Sequence, residues 1–388
     1  MHNWSGEVSI VGAYEHPDRL FPDTHPFSIQ AQCVVRALSD AGLTLADVDG
    51  FATATGEPPE GGGIMAAGEV AEFLGISPRF VDSTEMGGAS PVSHVGHAAA
   101  AIATGHADVV VVSYAATTKS SSTRLGTWES DIRMDGPGQF EQPYGTSTIG
   151  TYALFAQRHM HEFGTTAEQL AEVAVAFREH ASCNPFARYH TPLTVEEVVS
   201  SPMISTPLRR LDCCIITDGG GALVLTSAER ARDCATRPVD VLGFGESARQ
   251  VQMNQIRDFT STAAVGAGFS AFDQAGLTPD DVDVVQLYDS FTITALMALE
   301  DLGFCDKGEG GAFVEGGRLG IGGALPTNTD GGGLSSNQPG RRGIFSVIEA
   351  VRQLRGEAVG LQVPDCRIAL AHGSGGWPSC SSAVLLGV

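Results

Sequence analysis

A stretch near the start of the chain returns in its second half, and this repeat constrains the fold more than any other feature. Residues 37–51 read ALSDAGLTLADVDGF and residues 271–285 read AFDQAGLTPDDVDVV, so eight positions are identical at a constant offset of 234. In the first copy these positions are Ala37, Ala41, Gly42, Leu43, Thr44, Asp47, Val48 and Asp49. Each copy predicts a helix that stops at glycine, a capped acidic turn and a strand that enters the core. The repeat favours a duplicated α/β chain, with two unrelated helix–turn–strand units as the alternative.

The rest of the chain can be divided around this repeat. A length of 388 residues allows two or more domains. We predict an N-terminal half over 1–235 and a C-terminal half over 236–388, with an insertion at about 115–210. Helical patterns at 152–163 and 167–181 lie within the insertion. This segment either covers an active site or is a surface lid without chemistry.

Composition excludes several classes of function. The chain carries 45 acidic and 23 basic side chains, a net charge of −22, which disfavours nucleic acid and anionic membranes as partners. The longest apolar run, 107–116, is too short for a membrane span, and the first residues lack a signal-peptide pattern. The eight cysteines form no Cys-x-x-Cys pair, so no metal site is expected and a reducing, cytoplasmic compartment is favoured.

Glycine-rich loops mark the candidate site. The chain has 48 glycines, about twice the typical share of a globular protein. The loops at 85–90 and 330–335 each precede a predicted helix, and a third loop at 372–376 adjoins an apolar strand. Free N–H groups at a helix N-terminus suit an enolate, an oxyanion or a phosphate.

Two longer segments carry a family resemblance. The run ISTPLRRLDCCIITDGGGALVLTSAERAR at 204–232 and the helix pair at 152–185 resemble the thiolase superfamily, in particular sterol-carrier-type thiolases and bacterial lipid-transfer proteins. The likeness covers residues 8–388. It implies an α/β fold of two similar halves in a five-layer αβαβα arrangement and a homodimer. It also implies acyl-CoA thioesters as substrates, with no permanently bound cofactor.

The residues at the family's motif positions depart from those of a thiolase. Gly88 stands where the resemblance places the nucleophilic cysteine, and glycine cannot form an acyl-enzyme. The neighbouring Ser90 is either a helix-capping serine or an unusual nucleophile. Tyr288 replaces the asparagine of the Asn-Glu-Ala-Phe motif, and Gln338 replaces the histidine of Gly-His-Pro. His372 replaces the second catalytic cysteine, so Claisen chemistry through an acyl-enzyme lacks its usual groups.

This replacement pattern resembles the thiolase-like aldolases of steroid side-chain degradation. Such enzymes cleave a β-hydroxyacyl-CoA by a retro-aldol reaction and bind a small partner of the DUF35/OB-fold type. The resemblance implies that Tyr288 is an acid/base tyrosine. It also implies a second tyrosine in a loop that corresponds here to 331–340, which contains none. His372 is therefore the candidate for the second proton transfer.

A retro-aldol cleavage needs a base at the β-hydroxyl, a site for the enolate and an acid at the α-carbon. Tyr288 can be the base only if its pKa is lowered or its proton is relayed, whereas Asp289 is expected to face away and orient the loop. For Tyr288 and His372 the alternative is a hydrogen-bonded core residue. The predicted catalytic residues are Tyr288, His372, Asp289 and Gln338, and the predicted oxyanion or substrate-binding residues are Gly87, Gly88, Ser90, Asn337, Gly375 and Gly376.

Three functions compete on the sequence alone. The first is a retro-aldolase that releases a short acyl-CoA from a bulky β-hydroxyacyl-CoA, of which a steroid side chain is one case. The second is a thiolase or acyltransferase with an unusual nucleophile. The third is a non-catalytic subunit that binds acyl-CoA or lipid within a complex. A catalytic residue in the loop 331–340 would favour the first two.

Overall fold

The elements of secondary structure alternate between strands and helices along the chain. The computed structural model describes residues 3–54, 65–121, 136–145 and 147–388. Its strands are β1 (Val8–Glu15), β2 (Gly50–Thr53), β3 (Phe80–Asp82), β4 (Val109–Ala116), β5 (Met203–Ser205), β6 (Leu208–Arg209), β7 (Gly219–Ser227), β8 (Val239–Ala248), β9 (Val284–Gln286), β10 (Ile368–Gly375) and β11 (Cys380–Gly387). Its helices are α1 (Pro26–Ala41), α2 (Ala66–Leu74), α3 (Ser90–Ala103), α4 (Thr148–Phe163), α5 (Ala167–Cys183), α6 (Val195–Val199), α7 (Ala228–Ala231), α8 (Ala264–Ala275), α9 (Thr292–Asp301), α10 (Gly310–Val314), α11 (Gly332–Ser335) and α12 (Gly343–Arg355).

Nine strands form one mixed sheet in the order β3-β2-β4-β7-β1-β8-β11-β10-β9. The first five come from the N-terminal half and the last four from the C-terminal half. The halves meet where β1 pairs with β8 through Ser9–Asp240 and Ile10–Val239. β2 runs parallel to β3 and β4, and β9 runs parallel to β10. Parallel neighbours require crossover connections, and helices supply them here.

Alternating side chains of the strands separate three apolar layers. In β4, Val110 and Val112 pack with α3 and α12, whereas Val109 and Val111 pack with α1 and α2. In β10, Ala371 faces the same α3 and α12 layer, whereas Leu370 packs with α8 and α9 on the opposite side. Because neighbouring residues of a strand point to opposite faces, α3 and α12 form a central layer between the two halves of the sheet. The predicted five-layer αβαβα arrangement is confirmed.

The sequence repeat corresponds to a structural repeat. α1 and α8 both end at a glycine with positive φ, Gly42 at 74° and Gly276 at 67°. The acidic turns that follow are closed by the same capping box of threonine and aspartate. Asp49 then accepts hydrogen bonds from the backbone at the start of β4, and Asp283 accepts the equivalent pair at the start of β10. The two copies therefore have the same local fold, as predicted.

The helices of the insertion are longer than predicted. α4 begins at Thr148 because the Ser147 side chain accepts a hydrogen bond from the Gly150 N–H and caps the helix. α5 begins as predicted and continues to Cys183. The predicted division at 235/236 lies between α7 and β8, and it stays a prediction. None of the helices within the described ranges is long and apolar enough to span a bilayer.

Candidate active site

Gly88 lies in a short 3-10 turn directly before α3, at the centre of the candidate site. A Cβ added to Gly88 would lie 2.1 Å from Cε2 and 2.3 Å from Cζ of Tyr288, and 2.5 Å from the carbonyl oxygen of Ser374. The tyrosine ring thus fills the space that a side chain at position 88 would need. Gly88 and Tyr288 are sterically matched, and a nucleophilic side chain at position 88 is incompatible with this ring position.

The match between Gly88 and Tyr288 predicts a stability effect. Gly88→Cys is expected to destabilise the chain by about 1–3 kcal/mol, because the added atoms overpack a filled site. Tyr288→Asn in the same chain is expected to recover part of this loss by removing the ring. Urea denaturation of the single and double variants measures both effects. Gly68→Cys is the matched control, since a Cβ there meets nothing closer than 3.8 Å. Equal losses at positions 68 and 88 would contradict the match.

The Tyr288 hydroxyl is held by two polar groups of one loop. It donates a hydrogen bond to the Gly340 carbonyl oxygen at 2.6 Å and accepts one from Gln338 Nε2 at 3.1 Å. Burial raises the pKa of the Tyr288 phenol above its ordinary value. Tyr288 is therefore a neutral phenol at rest. It does not have the lowered pKa that a resting base would need. Within the part of the chain that the structure describes, Gln338 Oε1 is buried without a hydrogen-bond partner, so it can accept one from a ligand.

Asp289 is hydrogen-bonded to the loop 331–340. Its carboxylate accepts hydrogen bonds from the N–H groups of Gly333 at 2.7 Å and Leu334 at 3.0 Å. Arg342 Nε lies 3.3 Å from Oδ1, the oxygen that also accepts from Gly333. Burial raises the pKa of Asp289 to about 6 although Arg342 and the two N–H groups act in the opposite direction. Both carboxylate oxygens are thus engaged in holding the loop that carries Gln338.

The Asn337 side chain also holds this loop, through hydrogen bonds to Glu15 and Arg342. It does not occupy the substrate-binding position that the sequence analysis predicted. Its Nδ2 donates to Glu15 Oε1 at 2.6 Å, and its Oδ1 accepts from Arg342 Nη1 at 2.6 Å. The residue is fully buried. Arg342 in turn donates two hydrogen bonds to Asp330. Burial alone would lower the pKa of Arg342, but Asp330 and Asp289 beside it raise the pKa above its ordinary value.

Ser90 closes the turn that contains Gly88. Its Oγ accepts a hydrogen bond from the Met86 N–H at 2.7 Å and donates one to the Gly87 carbonyl at 2.8 Å. The side chain is fully buried, and the hydrogen bonds of its hydroxyl include no histidine. Ser90 thus ties the turn that precedes α3, whereas the N-cap position of that helix is Ala89 without a side-chain cap, and the choice between a structural serine and a nucleophile stays a prediction.

The two glycine-rich turns are brought together, as the predicted oxyanion site requires. A Cβ on Gly87, whose φ is +61°, would lie 2.9 Å from Gly375 Cα and 3.3 Å from Gly376 N. A Cβ on Gly375 would overlap the Met86 carbonyl. Only glycine allows these backbones to approach so closely. Both turns border the space beside Gly88, and their role in binding an oxyanion stays a prediction.

His372 lies on the other face of β10. Its Nε2 is 2.8 Å from Ser381 Oγ, whereas the neighbouring Ser382 points inward and contacts Ser93 of α3 at 2.6 Å. The inward position of β10 belongs instead to Gly373, where a Cβ would lie 2.6 Å from the Ala89 Cα. Burial lowers the pKa of His372 to about 4, so its ring is neutral at pH 7. The structure does not bring His372 to Gly88, because adjacent residues of a strand face opposite sides.

Two residues near Tyr288 were missed by the sequence analysis. Tyr152 of α4 donates a hydrogen bond to the Gly376 carbonyl at 2.7 Å, and its ring centroid is 4.5 Å from that of Phe291. Cys214 lies in the loop before β7, and its N–H donates to the Ser290 carbonyl at 2.9 Å. Burial raises the pKa of the Cys214 thiol to about 12, so it is not a resting thiolate. Both residues lie in the segments that carry the family resemblance, 152–185 and 204–232, but the sequence analysis gave them no role, and the fold places them beside Tyr288.

Comparisons with known proteins agree with this fold and site. The family model described as thiolase C-terminal domain-like matches residues 245–388. A 17-hydroxy-3-oxo-4-pregnene-20-carboxyl-CoA lyase of Mycobacterium tuberculosis is 37% identical over 367 residues, covering 92% of this chain and 93% of that protein. An acetyl-CoA acetyltransferase of Methanothermobacter thermautotrophicus is also 37% identical, over 382 residues, covering 95% of this chain and 96% of that protein. The solved structure of an Ltp2-ChsH2(DUF35) aldolase superposes with a TM-score of 0.89 at 34% identity, covering 100% of this chain and 99% of that one.

These matches extend over nearly the whole chain and not over one motif. Both halves of the duplicated fold and the insertion between them are included. The chain therefore belongs to the thiolase superfamily, in its lipid-transfer branch. Since relatives of equal identity include a lyase and an acetyltransferase, overall identity does not separate these reactions, and the residues beside Gly88 must do so.

Proposed function

We propose that the protein is a carbon–carbon lyase of thiolase fold that cleaves a bulky β-hydroxyacyl-CoA by a retro-aldol reaction. The observation that carries this proposal is the Tyr288 ring in the space beside Gly88, which leaves no room for a nucleophile at that position. A retro-aldol cleavage requires no acyl-enzyme. The lyase relative acts on a steroid CoA ester, which supports a steroid side chain as the bulky group.

The reaction can be written with Tyr288 as a proton shuttle. Its phenolate takes the proton of the β-hydroxyl, the bond between the α- and β-carbons breaks, and the electron pair passes to the α-carbon as a thioester enolate. The β-carbon leaves as a ketone or aldehyde. The backbone N–H groups of Gly88 and of the turn at 375–376 stabilise the enolate oxygen, whereas the Gly87 N–H already donates to Glu85 Oε1 at 2.8 Å. Tyr288 then returns the proton to the α-carbon, so that neither water nor free CoA is consumed.

The shuttle predicts that activity rises with pH. Because burial raises the pKa of Tyr288, the phenolate is a minor form at pH 7, and kcat/KM is expected to increase by about tenfold per unit between about pH 7 and pH 9. A base at His372, whose burial lowers its pKa to about 4, would give a flat profile over that range. Initial rates across pH, with the stability of the fold monitored at each point, distinguish the two. A flat profile would contradict the shuttle.

The CoA thioester is a substrate in this proposal and not a resident cofactor. We further propose a homodimer and a small DUF35/OB-fold partner. The solved relative is an Ltp2-ChsH2(DUF35) aldolase, which supports the partner. The cytoplasmic location stays a prediction from the cysteine pattern.

Product analysis tests the function directly. The chain, alone and with a DUF35-type partner from the same source, is incubated with a steroid β-hydroxyacyl-CoA in the absence of free CoA. We expect equal amounts of a ketone and a shortened acyl-CoA. No cleavage of any β-hydroxyacyl-CoA by the complex would refute the proposal.

The acetyltransferase relative supports acyl transfer as a second candidate. That function predicts consumption of free CoA and an acyl adduct on the chain during turnover. Intact-mass spectrometry of the working enzyme detects such an adduct. Its presence, together with a requirement for free CoA, would favour acyl transfer over the aldol cleavage.

A further inference from the structure

Tyr152 connects the insertion to the glycine turn at 375–376. The residue lies on α4, is buried, and packs its ring against Phe291, with Trp377 edge-on at 6.4 Å. Its hydroxyl donates to the Gly376 carbonyl at 2.7 Å. A phenylalanine would fill the same apolar space, and a buried hydroxyl is costly unless it is hydrogen-bonded. The hydroxyl is therefore the part of Tyr152 that requires an explanation beyond packing.

The carbonyl that Tyr152 holds belongs to a turn that borders Gly88. Gly376 has a φ of +65°, and its neighbour Gly375 packs backbone to backbone on Gly87. The far side of the turn is closed by the Ser379 N–H, which donates to the Gly375 carbonyl at 3.0 Å. The Gly376 carbonyl belongs to the Gly376–Trp377 peptide, whose N–H also donates to Ser379 Oγ at 3.3 Å. This peptide directly follows the Gly375–Gly376 backbone that packs on Gly87. The orientation of this wall of the site thus depends on a side chain from the insertion.

We propose that Tyr152 is a positioning residue for the aldol cleavage, which it serves by fixing the Gly375–Gly376 backbone against Gly87 and Gly88 so that its N–H groups point at the enolate oxygen. This inference rests on the proposed function. Tyr152 acts through the turn and not on the substrate, since its own proton is committed to a backbone carbonyl. The insertion is then more than a cover, because it supplies one support of the site.

Removing the hydroxyl while keeping the ring is the direct test. Tyr152→Phe is expected to lower kcat by about tenfold to a hundredfold, with KM for the acyl-CoA within about twofold of wild type, because a misdirected enolate site affects the transition state more than binding. Tyr14→Phe, which alters a tyrosine of β1, is the control for hydroxyl removal. Phe259→Leu is the control for packing. The Phe259 ring lies in the same cluster, with its centroid 5.0 Å from that of Phe155, and its replacement leaves the Tyr152 hydroxyl in place.

A second readout does not depend on turnover. Amide hydrogen exchange of Tyr152→Phe is expected to increase at 86–90 and 375–379 and to remain at the wild-type level in α5 and α8. Faster exchange confined to those turns supports the positioning role even if the wild-type complex cleaves no β-hydroxyacyl-CoA, an outcome that would refute the proposed function alone. Unchanged kcat and unchanged exchange would overturn the inference. It would equally be overturned by general unfolding of Tyr152→Phe, or by an equal kcat loss in Phe259→Leu.

Discussion

Replacing Tyr288 with phenylalanine is expected to reduce kcat by about 10²- to 10⁴-fold, the range that loss of a general acid/base group produces. The ring that fills the space beside Gly88 is retained, so the site keeps its shape. What is lost is the hydroxyl that contacts the Gly340 carbonyl and Gln338. Steady-state rates of acyl-CoA release, measured on the complex with its partner, provide the comparison.

Tyr114→Phe is the matched control for this variant. Tyr114 is fully buried and donates a hydrogen bond to the Pro339 carbonyl at 3.1 Å, one residue before the carbonyl that Tyr288 contacts. Removing the Tyr114 hydroxyl disturbs the same loop and leaves the space beside Gly88 unchanged. We expect at most about a tenfold loss of kcat from this change. Equal losses in both variants would mean that Tyr288 merely supports the loop, and the shuttle would have to be abandoned.

Replacing Arg342 with methionine is expected to destabilise the chain by about 3–5 kcal/mol, because it leaves buried carboxylates without their counter-charge. The guanidinium is fully buried, donates to both oxygens of Asp330 at 2.8 and 2.9 Å, and lies 3.3 Å from Asp289. The loop that carries Gln338 is held by these groups. Urea denaturation gives the free energy of unfolding, and activity is expected to fall together with stability.

Two comparisons make the Arg342 result specific. Arg158→Met breaks an exposed pair with Glu162 on α4 and is expected to cost about 0.5 kcal/mol or less. In Arg342→Met, loss of the positive charge raises the pKa of Asp289 further, so the folded chain binds a proton that the unfolded chain releases near its ordinary pKa. Stability of this variant should therefore rise as pH falls from about 7 to about 5. A variant whose stability falls over that range would contradict this account of the cluster.

Local patterns were sufficient for the parts of the fold that depend on neighbours in sequence. The repeat predicted two equivalent helix–turn–strand units, and the caps at Thr44 and Thr278 and the glycine stops at Gly42 and Gly276 are where the pattern placed them. The loop-orienting role of Asp289 was predicted from strand alternation, but β9 ends at Gln286, so the contacts of Asp289 with Gly333 and Leu334 come from the tertiary structure. The beginning of α4 was missed by four residues, since the cap at Ser147 lies in a polar stretch without apolar periodicity.

The sequence by itself determined the duplicated α/β fold, the family and the absence of a cysteine at position 88, because each depends on residue identity and spacing along the chain. Only the tertiary structure decided which groups share the site. It placed the Tyr288 ring beside Gly88, turned His372 to the opposite face of β10, and brought in Tyr152 from the insertion. Motif positions do not specify the side of a strand to which a neighbouring residue points, nor which distant helix packs against a turn. Those properties arise from the packing of layers, where side chains far apart in sequence compete for the same volume.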